Sequence, residues 1–184
     1  DSPWSTHPEG GGEAQTAFAN GDIALFEYSA EVTVSGDVQT GSLQLNKGTS
    51  AEQMLVVTIN TGEGAKLTAD HVVTNAVFEQ ESFYNKIVKT GTGAIDFSID
   101  DSSFNTILSI EKGSANITLK AANTVNLYEH ITGSADSNVT LNVQTRTKTE
   151  SQVQIRGIDE YNVADGVTLQ IDSAIGAGGG FYLN

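Results

Sequence analysis

A chain of 184 residues with 23 acidic and 9 basic side chains carries a formal net charge of −14. That argues against nucleic acid and anionic membrane surfaces as partners, because phosphate binding needs clustered Lys and Arg. Cysteine is absent, which excludes disulfides and thiolate metal sites, and no apolar run approaches the ~20 residues of a membrane helix. The length fits one domain or one elongated array.

Residues 1–21 read as an arm. Pro3, Pro8 and Gly10-Gly11-Gly12 oppose regular structure there, and the arm holds Trp4, the single tryptophan. The chain opens on Asp1 with neither a start methionine nor a signal peptide, as a processed terminus or an excised fragment would. From Asn20-Gly21-Asp22 strand patterns begin: Ile23 to Phe26, Val32 to Val38, then Gly41 to Leu45. Ala51-Glu52-Gln53 allows a brief helical turn. Met54 to Ile59 is the most continuously apolar piece and is expected between two layers.

Between Thr90 and Asp172 one pattern recurs. Ile95 to Ile99, Ile117 to Leu119, Val125 to Leu127, Val139 to Val143, Val153 to Ile155 and Val167 to Ile171 alternate apolar with polar. Strict alternation marks half-buried strands. Gly93, Gly113 and Gly133 fall at an even spacing of twenty, which predicts stacked units of two or three strands. Val139, Val153 and Val167 stand fourteen apart, which suits a sandwich equally well. The expected fold is therefore all-β: a β-solenoid, with a two-sheet β-sandwich or jelly roll as the alternative. The expected division is an arm at 1–21, one β-rich domain at 22–174, and a Gly-rich hinge with a terminal strand at 175–184.

Two stretches carry a family resemblance. Phe18 to Phe26 with Val32 to Leu43, and Lys89-Thr90-Gly91-Thr92-Gly93 followed by Ile95 and Phe97, resemble the autotransporter-associated β-strand repeat of bacterial surface passengers. The resemblance implies an exported, right-handed β-helical stalk or adhesive surface.

Candidate sites are sparse. Asp100 and Asp101, with Ser102, Ser103 and Asn105 adding oxygens, are the best place for calcium, although the pattern is not that of a twelve-residue calcium loop. His7, His71 and His130 share no metal-ligand spacing. Arg156, Asp159, Glu160 and Tyr161 form the densest polar and aromatic cluster, the place where a polysaccharide lyase or glycosidase would keep its acid and base. Asn116-Ile-Thr118 and Asn138-Val-Thr140 fit the glycosylation pattern, and Asn105, Asn116, Asn126 and Asn138 could instead stack as an amide ladder. Unpaired strand edges at the ends need covering. Trp4 in the arm and Phe181-Tyr182-Leu183 behind a glycine hinge are the candidate assembly contacts.

The reading expected from these residues is a non-enzymatic structural protein of a microbial cell surface, exported and joined to copies of itself. A passenger-type adhesin domain that binds surface glycan or matrix protein is the second expectation, and a β-helical carbohydrate-active enzyme the third. No cofactor is expected beyond calcium, and neither nucleic acid nor membrane insertion.

Overall fold

The computed structural model describes residues 21–46, 55–75, 85–101, 103–149 and 153–171. Nineteen strands run through them: β1 (Ile23–Phe26), β2 (Ala30–Val34), β3 (Asp37–Thr40), β4 (Ser42–Asn46), β5 (Val56–Thr61), β6 (Lys66–Ala69), β7 (Val72–Asn75), β8 (Asn85–Thr90), β9 (Ala94–Ile99) and β10 (Ser103–Phe104). The series continues with β11 (Thr106–Ile110), β12 (Gly113–Leu119), β13 (Val125–Leu127), β14 (Ile131–Gly133), β15 (Ser137–Val143), β16 (Thr147–Thr149), β17 (Ile155–Arg156), β18 (Glu160–Val163) and β19 (Leu169–Gln170). The described residues contain no helix, so the fold class is all-β.

Four sheets collect these strands, and every ladder is parallel. The first sheet is β1-β4-β7, and the second is β2-β5-β8-β11-β14-β17. The third is β3-β6-β9-β12-β15-β18, and the fourth β10-β13-β16-β19. Each strand therefore pairs with the third strand before it and the third after it. The break comes between β7 and β10, where the first sheet stops and the fourth begins. Parallel pairing throughout departs from the sandwich alternative, whose ladders are antiparallel.

Alternation explains which atoms face inward. β5, β9 and β11 bury every second residue, as a pleat with one covered face requires. The inward side chains, among them Val57, Ile87, Phe97, Leu108, Ile117 and Leu141, belong to one continuous apolar cluster. The apolar stretch ending at Ile59 does not lie between two layers. Val57 and Ile59 point in, while Val56 and Thr58 stay half-buried on the outer face. The helical turn expected at Ala51 to Gln53 lies outside the described residues.

The repeat is less even than the glycine spacing suggested. Pairing offsets run from 19 positions, Ile23 with Ser42, to 30 positions, Val57 with Ile87. Gly93 and Gly113 do stack, for Ser114 is paired with Ala94. Gly133 does not follow them. It ends β14 in the second sheet, opposite Ile110, while Ser137 stands opposite Gly113. The spacing of fourteen is likewise no repeat, since Val139 is in the third sheet while Val153 and Val167 precede β17 and β19 in two others.

Candidate functional site

Two constructions stand out: a side-chain ladder on the outer face of the third sheet, and a buried lysine at the corner between the second and third sheets. The ladder begins at Lys66 on β6, whose Nζ donates to Asp96 Oδ2 at 2.9 Å. Asn116 Nδ2 donates to Asp96 Oδ1 at 3.1 Å, Asn142 Nδ2 to Asn116 Oδ1 at 2.5 Å, and Asn162 Nδ2 to Asn142 Oδ1 at 3.1 Å. Five side chains on β6, β9, β12, β15 and β18 are thus joined one to the next. The members are outward-facing because each occupies the polar phase of its strand. Asp96 with Asn116, and Asn142 with Asn162, stand directly opposite on neighbouring parallel strands, about 4.8 Å apart, while Lys66 and Asn142 reach Asp96 and Asn116 diagonally, two residues along the adjacent strand. Thr68, Ser98, Thr118 and Thr140 stand beside them on the same face, half-buried.

This is a different ladder from the one expected. Asn116 is in it, but Asn105 and Asn126 lie in or beside other sheets, and Asn138 is an exposed residue beside Ser114. Both glycosylation candidates therefore sit on the third sheet. Asn138 is exposed, and Asn116 is half-buried with its amide hydrogen-bonded on both sides. Replacing Asn142 with Ala removes two ladder bonds and should cost about 1 kcal/mol. Chemical denaturation should show that loss with an unchanged m-value.

Lys89 is the signal that sequence reading placed only as part of a motif. It lies on the inward phase of β8 with no exposed surface. Its ammonium donates to Gly91 O at 2.7 Å, Gly93 O at 2.8 Å and Lys112 O at 2.6 Å. The side chain thus ties its own corner to the corner of the next turn of chain. Burial pushes its pKa down to about 8. Inward threonines serve other corners: Thr40 Oγ1 donates to Ser42 O at 2.6 Å, and Thr147 Oγ1 to Thr145 O at 3.0 Å.

The remaining candidates are placed separately. Asp100 and Asp101 occupy the corner between β9 and β10. Asp100 pairs with His71 Nδ1 of the preceding corner, and Asp101 Oδ1 accepts from Ser103 N–H at 3.2 Å. No group of three or more His, Asp or Glu is placed to hold a metal ion among the described residues. Asp159 accepts a hydrogen bond from Val139 N–H at 2.6 Å, so its carboxylate closes a corner. Arg156 and Glu160 are exposed, and burial raises the pKa of the half-buried Tyr161. Trp4, His7, Phe181, Tyr182 and Leu183 lie outside the described residues.

His130 acts as a backbone substitute. Its Nδ1 accepts from Gln154 N–H at 2.8 Å, which holds the neutral ring in one tautomer. Burial, with the Arg156 guanidinium adding to it, lowers its pKa. A depressed folded-state pKa gives stability that is present above the unfolded value near 6.5 and lost as pH falls through the folded one. His130→Gln keeps an acceptor but cannot titrate. The thermal midpoint of the parent should therefore fall more than that of the variant between pH 7.5 and pH 5. Equal falls would refute this role.

Among the described residues the outermost strands of the sheets are β1, β2 and β3 at one end and β17, β18 and β19 at the other, with β7 and β10 as further edges between them. Gly21 N–H donates to Gln39 O at 3.0 Å, so the chain entering β1 already lies beside β3. An apolar cavity of about 120 Å³ opens at this end, lined by Phe26, Val32, Val34, Val38 and Leu43 among others. At the far end Tyr161, Val167, Leu169 and Ile171 are only partly buried against the core. Compared with known proteins, the chain matches no family model, no curated protein and no solved structure.

Proposed function

We propose that the chain is a β-solenoid segment of an exported surface protein, and that its work is structural. The observation that supports this reading is that strands pair with the third strand before and after them, always in parallel, save at the outermost strands and at the break between β7 and β10. A chain that turns three corners and returns beside itself makes a stiff stack whose length grows with each turn. The Lys89-Thr90-Gly91-Thr92-Gly93 stretch, on which the resemblance to autotransporter-associated repeats rests, supports the reading because it forms a corner that grips the next one. The edge strands that bound the described residues at both ends supply sites where further turns or neighbouring copies can add.

Small-angle scattering and negative-stain microscopy test this directly. A rod-like cross-section is expected, with end-to-end polymers that disappear when residues 1–21 or 175–184 are deleted. A compact, isometric particle would overturn the solenoid, and a monodisperse monomer indifferent to both deletions would overturn assembly through the ends. The outer face of the third sheet favours a second reading, an adhesin segment that binds glycan, because its amides and hydroxyls form a fixed, regular array. Binding on a glycan array that is lost in Asn116→Ala and Asn142→Ala would support it.

A further inference from the structure

Columns of paired residues show what each end of the stack presents. In the second sheet one inward column runs from Ala30 through Val57, Ile87, Leu108 and Ile131 to Ile155. In the third sheet another runs from Thr40 through Ala69, Phe97, Ile117 and Leu141 to Tyr161. The two ends therefore share one inward and outward phase. A second copy set with β2 and β3 against β17 and β18 of this one continues both sheets in parallel. Ile155 then meets Ala30 of the next copy, Tyr161 meets its Thr40, and the apolar opening lined by Phe26, Val32 and Val38 is covered. Turning the second copy over would reverse its strands and end the parallel pattern.

Charge opposes that joint. Residues 21–46 hold Asp22, Glu27, Glu31 and Asp37 and no Lys or Arg. Residues 155–171 hold Asp159, Glu160 and Asp165 against Arg156 alone. The outward column that starts at Glu31 ends at Arg156, so the one base meets a carboxylate. A column in the third sheet runs from Gln39 to Glu160, which sets Glu160 diagonally across from Asp37, two residues back along β3. Asp22 and Asp165 both lie on the corner that leaves the third sheet. A net −4 thus faces a net −2, and the two repel until salt screens them.

We infer, resting on the assembly through the ends proposed above, that copies join head to tail and that salt gates the joint. They stay apart at low ionic strength and add end to end once the carboxylates are screened. The screening length falls from about 30 Å at 0.01 M salt to about 3 Å at 1 M. Apolar contact and main-chain pairing at the joint do not weaken with that change, so they prevail at high salt. Head-to-tail contacts are heterologous and do not close on themselves. Each addition leaves a free end, and the product is a rod of many copies, not a dimer. Arg156 against Glu31 is the one attractive charge contact and fixes the register.

Sedimentation velocity on the full chain at pH 7.5, from about 0.01 to 1 M sodium chloride, reads the gate, and negative-stain microscopy identifies the rods. At the lowest salt the chain should sediment as a monomer of 19.4 kDa, with rods appearing near 0.3 M, where the screening length is only about 6 Å. The variant E27Q/D37N/E160Q/D165N should form rods at about tenfold lower salt, a shift that salting-out alone would not produce. R156E, which sets Glu against Glu31, should move the onset to higher salt. Circular dichroism checks that each variant folds, and D37N/E160Q alone should show part of the shift. A parent that forms rods equally at 0.01 M and 0.5 M salt would overturn the gate and leave the assembly reading standing. Folded neutralised variants with the parent's onset would do the same. A parent that stays monomeric at every salt concentration would overturn both.

Discussion

Gly93→Ala should unfold about 12 °C below the parent, whereas Gly64→Ala should lose only about 3 °C and Gly36→Ala almost nothing, on a scale of roughly 2–4 °C per kcal/mol for a chain of this size. The three glycines separate two causes. A Cβ on Gly93 would stand 2.2 Å from Gly62 O, 2.4 Å from Ala65 O and 3.0 Å from the Thr61 side chain. Those oxygens belong to the backbone of the preceding corner and cannot rotate away. Moving them would also break the bonds from Gly93 N–H to Thr61 O at 3.1 Å and from Ala94 N–H to Ala65 O at 2.9 Å. Overpacking typically costs 1–3 kcal/mol, and a clash with fixed backbone on two sides takes it to about 4 kcal/mol. Gly64 has φ +71° with nothing within 4 Å, so it loses only the left-handed preference, about 1 kcal/mol. Gly36 has neither constraint. Equal midpoints for Gly93→Ala and Gly64→Ala would show that the corners do not pack as described.

Lys89→Met should lower stability by about 2 kcal/mol at pH 7, and the gap should widen as pH rises from 8 to 10.5. Two effects oppose each other. Holding the ammonium away from water costs roughly 3 kcal/mol, the equivalent of a pKa lowered from 10.5 to about 8. Against that, methionine leaves the Gly91 and Lys112 carbonyls without the lysine's hydrogen bonds. Gly93 O keeps the Ser114 N–H at 3.2 Å. Orphaned carbonyls cost roughly 1–3 kcal/mol each, and the lost charge-assisted bonds add to this, so the hydrogen bonds win by a modest margin. The pH dependence follows from linkage. Between about 8 and 10.5 the unfolded chain binds the proton that the folded chain has released, so stability rises with pH. Lys89→Met lacks that rise. Urea titrations of both chains at pH 7, 9 and 10.5 measure it, and a gap that narrows with pH would exclude the buried ammonium.

Local chemistry was readable from the residues alone. Alternation at Ile95 to Ile99 and Val139 to Val143 marks strands with one buried face, because the pleat repeats every two residues whatever the strand pairs with. Gly91 and Gly93 read as a turn for a similarly local reason, since a residue with φ +76° such as Gly91 favours glycine. The lone continuous apolar stretch misled, because Met54, Leu55 and Val56 look like a buried strand while β5 covers only one face.

The sequence by itself determined that this protein is built of short strands, which side of each is apolar, and where glycine lets the chain turn. Each of these depends on contacts within a few residues. Only the tertiary structure decided that strands pair three apart, that Gly133 leaves the column of Gly93 and Gly113, and that Lys89 is a buried clamp. It also decided that Asn116, Asn142 and Asn162 form one chain of amides leading from Asp96, while Asn105 and Asn126 are not in it. Those outcomes depend on corners of unequal length, which shift the pairing by 19 to 30 positions from one turn to the next. A shift of that kind leaves the period of two intact, so it changes which side chains meet without leaving a trace in the pattern of any single strand.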